Sequence, residues 1–267
     1  MALIQVSFTS RTLQRSVPLQ VLLPVDKFSL MEGPPREEKP FKTLYLLHGL
    51  FGSCTDWVTG TRIKRWAQEK NLAVVMPSGD NAFYVDLPQA NNLYGEFIGK
   101  ELVDITRRMF PLSRSREDTF IAGLSMGGYG AIRNGLKYYE TFGYIASFSG
   151  ALHILEDIGS PQRVPLKNEL YCFGDLQEAV KSDKNPRVLV RRLLQQIKEN
   201  PDIRFPKILM TCGTQDQLIA VNRTYRDFLT ENGFDLTWYE GPGGHDWDFW
   251  DLSIRKTLDW LPLDGQE

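Results

Sequence analysis

The chain opens on two stretches in which apolar and polar residues alternate, 3–8 and 17–23, separated by a polar turn. Alternation at period two sends one face to a core and one to water, so the pair predicts an antiparallel hairpin. From residue 43 the pattern changes. Short apolar runs at 43–47, 72–76, 119–124, 144–148 and 207–212, with a weaker one at 236–239, predict strands covered on both faces. Between them, apolar positions recur at helical spacing over 62–68, 96–109, 126–137, 225–232 and 247–261. In the last of these, Trp247, Trp250, Ile254, Leu258 and Leu261 form one stripe. Strands alternating with helices predict an α/β fold. Its central sheet has about eight strands, mostly parallel, with helices on both faces and right-handed crossovers.

Two segments depart from the alternation. Residues 31–40, MEGPPREEKP, read as an exposed loop. Residues 151–205 hold no convincing sheet strand, although 186–200 reads as a helix with Pro186 in its first turn and Asn185 as N-cap. The whole of 1–267 is therefore read as one domain carrying 151–205 as an insertion. It is placed over the C-terminal edge of the sheet, where open α/β sheets bind ligands, and so is a candidate lid or pocket wall.

Composition narrows the function classes. Of 267 residues, 42% are apolar and 24% charged, ordinary values for a globular chain. A net charge of -2 argues against a protein that grips nucleic acid by charge, and no polybasic tract addresses a membrane surface. The N-terminus lacks a continuous apolar core, and the uncharged stretch 141–155 is too short and too rich in Gly and Ser to span a bilayer. The expected location is cytoplasmic. Cys54, Cys172 and Cys212 show no CxxC spacing, which argues against a disulfide framework. His48, His153 and His245 form no pair at metal-ligand spacing, so an all-protein zinc site is not expected. A homo-oligomer is compatible with the sequence.

One motif carries chemistry. Gly123-Leu124-Ser125-Met126-Gly127 is a G-x-S-x-G between a predicted strand and a predicted helix. Such a turn lifts a serine hydroxyl off the sheet edge, and its glycines make room for the crowded backbone. A serine needs a base, and the base needs an acid, in the chain order Ser, Asp/Glu, His. His245, in the Gly-rich loop GPGGHDW after the last strand, is the candidate base. His48 precedes the serine and is read as fixing its own loop. His153 follows a strand too early and is read as an ordinary polar residue. Asp216, just past the strand at 207–212, is the candidate acid, with Glu240 as its rival. Two backbone N–H groups must meet the developing oxyanion. Met126 supplies one, and the HGLFG turn supplies the other from Leu50, with Phe51 as the adjacent alternative. The aromatics Phe51, Trp57, Phe83, Tyr84, Tyr94, Trp247 and Trp250 lie near sheet-edge loops. Of these, Phe51, Trp57 and Trp247 are the candidate substrate-pocket residues.

LLHGLFGSCTDW (46–57), AGLSMGGYGA (122–131), CGTQDQL (212–218) and GGHDWDFW (243–250) together resemble the esterase D-like branch of the α/β-hydrolases. That branch includes tributyrin-type acetylesterases, feruloyl esterases, S-formylglutathione hydrolases and antigen 85-type acyltransferases. The elbow is most similar to the tributyrin and feruloyl group, and the resemblance spans roughly residues 1–262. It implies an α/β-hydrolase fold with Ser125 as nucleophile, His245 as base, Asp216 as its partner, and Leu50 and Met126 as oxyanion donors. It further implies cofactor-free hydrolysis of short-chain acyl or hydroxycinnamoyl esters, including oligosaccharide esters, through an acyl-enzyme. Thiolester hydrolysis or acyl transfer is the alternative. Glutathione hydrolases of the branch carry a cysteine shortly after the HG turn; Cys54 stands near that place, but the surrounding LFGSCTDW departs from their pattern. The complete Ser–acid–His set argues against the remaining alternative, a non-catalytic binding module on the same fold.

Overall fold

The apolar runs become the interior strands of one eight-stranded sheet. The computed structural model describes residues 1–26, 39–156, 158 and 167–263. Most of the 31–40 loop therefore lies outside the described residues, as does part of the 151–205 insertion. The hairpin β1 (Ala2–Ser10) and β2 (Arg15–Leu23) comes first, paired from Ala2 opposite Leu23 to Ser10 opposite Arg15. Strand β3 (Thr43–Leu47) leads through helices α1 (Asp56–Gly60) and α2 (Ile63–Glu69) to β4 (Ala73–Pro77). A small separate hairpin follows, β5 (Asp86–Leu87) and β6 (Asn92–Leu93).

The predicted helix at 96–109 is built as α3 (Tyr94–Glu96), a wider turn over Phe97–Glu101, and α4 (Leu102–Met109). Strand β7 (Thr119–Leu124), helix α5 (Met126–Lys137) and strand β8 (Tyr144–Phe148) form the centre of the sheet and its covering helix. The insertion contributes α6 (Lys167–Phe173), α7 (Leu176–Ala179) and α8 (Pro186–Glu199). Asn185 caps α8, its side chain accepting the Arg187 N–H. The chain then closes with β9 (Lys207–Gly213), α9 (Ile219–Glu231), β10 (Leu236–Gly241) and α10 (Trp247–Trp260).

The strand order is β1-β2-β4-β3-β7-β8-β9-β10. Strand β2 runs antiparallel to β4, and from β4 to β10 the neighbours are parallel. The period-two side-chain alternation divides the interior strands between two cores. Leu44, Leu46, Val74, Met76, Phe120 and Phe148 face α2 and α10, against Trp66, Ile254 and Leu258. Tyr45, Leu47, Val75, Ile121, Ile145 and Met210 face the other way, against Leu102, Ile132, Val190 and Tyr225. Both faces are covered, which is why these strands read as unbroken apolar runs. The order reverses at β3, since the chain moves first to β4 and later to β7 on the opposite side. Crevices at such a switch point, beyond the carboxyl ends of the strands, are where open sheets hold ligands.

Candidate active site

Ser125 follows β7 directly, at that switch point. Its φ of 53° and ψ of -116° are a strained conformation for an L-residue. The surrounding structure holds it there. The Ser125 N–H donates to the Phe148 carbonyl at 2.9 Å, and the Ser125 carbonyl accepts from the N–H groups of Tyr129 and Ala151, both at 3.0 Å. The two motif glycines are demanded by contact. A Cβ on Gly123 would lie 2.5 Å from the Gly127 carbonyl, and one on Gly127 would lie 2.5 Å from the Leu47 oxygen and 2.6 Å from the His48 oxygen.

The structure brings the sequence-nominated acid and base to this serine. His245 Nε2 stands 3.0 Å from Ser125 Oγ, and His245 Nδ1 stands 2.9 Å from Asp216 Oδ2. With Nδ1–H donating to the carboxylate, Nε2 is left to accept the serine proton. Asp216 is buried, and its other oxygen accepts the Leu218 N–H at 2.8 Å. Burial opposes its charge. The hydrogen bonds from His245, from Ser149 and from the Leu218 N–H outweigh that cost and hold the carboxyl below its ordinary 3.8. The acid and base loops are zipped together by main-chain bonds: Thr214 N–H to the Gly241 carbonyl at 2.9 Å and Gln215 N–H to the Gly243 carbonyl at 3.0 Å. Gly243 has a φ of 143°, open to glycine alone without strain.

The rejected candidates have other work. Glu240 pairs with Arg223 through Nε at 3.0 Å and Nη2 at 3.1 Å, and accepts from Trp238 Nε1. His48 is buried; its Nδ1 donates to the Gly49 carbonyl at 2.7 Å while its Nε2 accepts the Gly79 N–H at 2.8 Å. Burial lowers its proton affinity and keeps the ring neutral, so it fixes two loops together. His153 lies half-buried in the turn that follows β8.

Of the candidate oxyanion donors, Met126 opens α5, where a first-turn N–H has no intrahelical acceptor. The Phe51 N–H, the alternative to Leu50, is already engaged: it donates to Asn81 Oδ1 at 2.7 Å. Neither the Leu50 N–H nor the Met126 N–H has an acceptor among the described residues.

The pocket nominations need correction. Trp57 is 1% exposed and donates from Nε1 to the Leu47 carbonyl at 3.0 Å. It is a core residue beneath the HG turn. Phe83, Tyr84 and Tyr94 are buried as well, and the Tyr84 hydroxyl donates to the His48 carbonyl at 3.0 Å. Trp247 is half-buried and meets Trp57 edge-on at 5.6 Å and Trp250 at 5.2 Å. Trp250 in turn meets the His245 ring at 4.9 Å and donates from Nε1 to Ser149 Oγ at 3.2 Å. These indoles form a ladder of rings that braces His245. Only Phe51 among the three nominated pocket residues stands open, 91% exposed. Cys54 is buried, with its N–H on Ser78 Oγ at 3.1 Å.

Sequence reasoning missed three supporting residues. Asn222 is fully buried in α9 and clamps Gly150 by two bonds, accepting its N–H at 3.1 Å and donating to its carbonyl at 3.0 Å. Ser149, at a φ of 48°, links Trp250 to Asp216. Asn81 accepts the Phe51 N–H of the HG turn. Asn222 had a signal in the sequence, since it occupies the apolar stripe that Tyr225 and Leu229 continue. Among the described residues, no group of His, Cys, Asp and Glu side chains could hold a metal ion, and no helix is long and apolar enough to cross a membrane.

A mostly parallel sheet of this order, with Ser125 on a sharp turn at its switch point and Asp216 and His245 on the loops beyond β9 and β10, is the α/β-hydrolase fold. Within that class the chain belongs to the esterase family: the family model described as "Putative esterase" matches residues 10–261. The chain is 41% identical over 266 residues to an acetyl esterase of Caldicellulosiruptor saccharolyticus, covering 98% of each sequence. Among solved structures it is similar to fluorophosphonate-binding serine hydrolase F of Staphylococcus aureus, with a TM-score of 0.83 and 31% identity over 97% of this chain and 98% of that one. An S-formylglutathione hydrolase from Staphylococcus aureus superposes with a TM-score of 0.82, 31% identity and the same coverage.

Proposed function

We propose that the protein is a serine carboxylic ester hydrolase that works through an acyl-enzyme on short-chain acyl or hydroxycinnamoyl esters. The observation that carries this is the chain of contacts Asp216–His245–Ser125, with both ring nitrogens of His245 in hydrogen-bond reach. His245 Nε2 takes the hydroxyl proton as Ser125 Oγ bonds to the ester carbonyl carbon. The carbonyl oxygen becomes the oxyanion and is met by the N–H groups of Leu50 and Met126. Asp216, already ionised, stabilises the imidazolium that forms. The carbon–oxygen bond to the alcohol then breaks, and His245 returns its proton to the departing alkoxide. Water adds to the acyl-enzyme by the same route, giving the free acid and restoring Ser125. The 41% identity to an acetyl esterase favours a small acyl group.

The decisive experiment is hydrolysis of p-nitrophenyl acetate by wild type and by Ser125→Ala, with folding matched by circular dichroism. A loss of about 10⁶ in kcat is expected from a complete serine triad. Equal rates in the two proteins would end the reading. A second reading, thiolester hydrolysis, is favoured by the likeness to an S-formylglutathione hydrolase at 31% identity. Comparing kcat/KM for p-nitrophenyl acetate and for S-formylglutathione on the same preparation decides between them.

A further inference from the structure

Two loops meet beside Ser125, the one that follows β3 and the one that follows β4. Four hydrogen bonds stitch them together, one of them from the Tyr84 hydroxyl to the His48 carbonyl at 3.0 Å. Gly79 N–H reaches His48 Nε2 at 2.8 Å, Cys54 N–H reaches Ser78 Oγ at 3.1 Å, and Phe51 N–H reaches Asn81 Oδ1 at 2.7 Å. The last acts on the residue adjoining the candidate donor Leu50. Phe51 has a φ of 64°, in the left-handed region that a bulky L-residue avoids. Its side chain is 91% exposed, so packing does not hold it there. Two bonds hold it instead: the Gly52 N–H to the Gly49 carbonyl at 3.3 Å, which closes the turn around Leu50 and Phe51, and the Phe51 N–H to Asn81.

Asn81 is itself anchored on both sides. The preceding Asp80 carboxylate accepts from the Tyr94 hydroxyl at 2.5 Å and from Arg15 Nη2 at 2.8 Å. The Asn81 carbonyl accepts the Cys172 thiol of α6 at 2.9 Å. Two residues on, Phe83 packs against Tyr129 of the nucleophile helix and Phe173 of α6, at 5.8 and 5.3 Å between rings.

We propose that Asn81 is a positioning residue for the oxyanion hole. By taking the Phe51 N–H it reinforces the Gly49–Gly52 turn bond in holding residue 51 left-handed, fixes the HG turn against the β4 loop, and leaves the Leu50 N–H as the turn's donor to the oxyanion. This deepens the ester-hydrolase reading and rests on it. The role is distinct from that of Ser125, His245 and Asp216, because Asn81 acts through the backbone of another residue and never meets the substrate. The same side chain joins the turn to the insertion, so the insertion contributes to the site through α6 and Asn81.

The test uses the full chain and four proteins: wild type, Ser125→Ala, Asn81→Ala, and Asn81→Ala combined with Phe51→Gly. Asn81→Ala is expected to lower kcat for p-nitrophenyl acetate roughly ten- to a hundredfold, short of the loss of a whole oxyanion donor, with KM within about twofold. Affinity for an aryl boronic acid, whose serine adduct places an oxygen in the same hole, is expected to fall by the same factor as kcat/KM. Glycine adopts the left-handed region freely, so Phe51→Gly in the Asn81→Ala background is expected to restore most of the lost kcat. Asn81→Leu, close in volume and lacking the acceptor, replaces Asn81→Ala should the latter not fold. Undiminished kcat in the Asn81 variant, a loss confined to KM, or a loss that Phe51→Gly leaves untouched would each overturn the assignment. A wild type without Ser125-dependent hydrolysis would instead remove the ester-hydrolase reading, and this inference with it.

Discussion

Arg133 lies fully buried on α5, two turns beyond the serine elbow. Its guanidinium donates from Nε to the Asp183 carbonyl at 3.1 Å, from Nη1 to Asn134 Oδ1 at 2.7 Å, and from Nη2 to Asp86 and Asp183 at 3.3 and 3.0 Å. Lys137 reaches the same two carboxylates at 3.0 and 2.6 Å. The cluster is neutral as built, and Arg133→Met leaves it with one uncompensated negative charge. Removing one partner of a buried pair costs about 3–5 kcal/mol, because the remaining charge stays desolvated. At an m-value of about 3 kcal/mol/M this lowers the urea midpoint by about 1–1.7 M at pH 7. The pH dependence gives a second, independent reading. Burial raises Asp86 and Asp183, but Arg133 and Lys137 outweigh it and hold both below the ordinary 3.8. Their contribution is therefore present above that value and lost as pH falls through the depressed folded values. The variant lacks the largest single cause of that depression, so the gap between the two proteins narrows as pH falls below 3.8. Urea unfolding followed by circular dichroism at pH 7 and at about pH 3 measures both effects. A loss under about 1 kcal/mol at pH 7, or a gap that does not narrow on acidification, would refute the reasoning.

Two further expectations concern the elbow and the thiols. Gly127→Ala drives a methyl to within 2.6 Å of the Leu47 and His48 carbonyls, both backbone atoms, and so displaces the HG turn. It should cost about 1–3 kcal/mol of stability and lower kcat more than KM; a variant with wild-type kcat would show that the turn tolerates displacement. Cys172 and Cys212 are buried, and burial pushes both thiols up to about 12. Neither should react quickly with 5,5′-dithiobis(2-nitrobenzoate) at pH 8 until denaturant is added, and rapid labelling of either in the native protein would contradict their placement.

The strands were legible because both of their faces are buried, so their apolar runs needed no partner to be recognised. The convergence of Ser125, Asp216 and His245 was legible because glycine spacing and chain order constrain their positions tightly. Helix α9 was read as starting at residue 225 because Asn222 interrupts the apolar stripe; the structure begins it at Ile219 and uses Asn222 to hold Gly150. Trp57 was misplaced for a related reason. A tryptophan near the HG turn offers no sequence mark of the Leu47 carbonyl that its indole N–H finds inside the core. Asn81 was invisible because its partner is a main-chain N–H, and a backbone group leaves no residue type to pair with.

Ser125 and His245 stand 120 positions apart in the chain, and Asp216 and His245 stand 29 apart. The proposed triad therefore cannot assemble from any local segment. Strand β7 can dock early at the middle of the sheet, yet the serine remains an ordinary hydroxyl until β9 and β10 have added at the far edge and α10 has closed over them. During synthesis, a chain released only as far as α9 holds its elbow without a base. Recovery of ester hydrolysis after dilution from denaturant thus serves as a clock for the last stage of folding, while far-ultraviolet circular dichroism reports the earlier growth of helices and sheet.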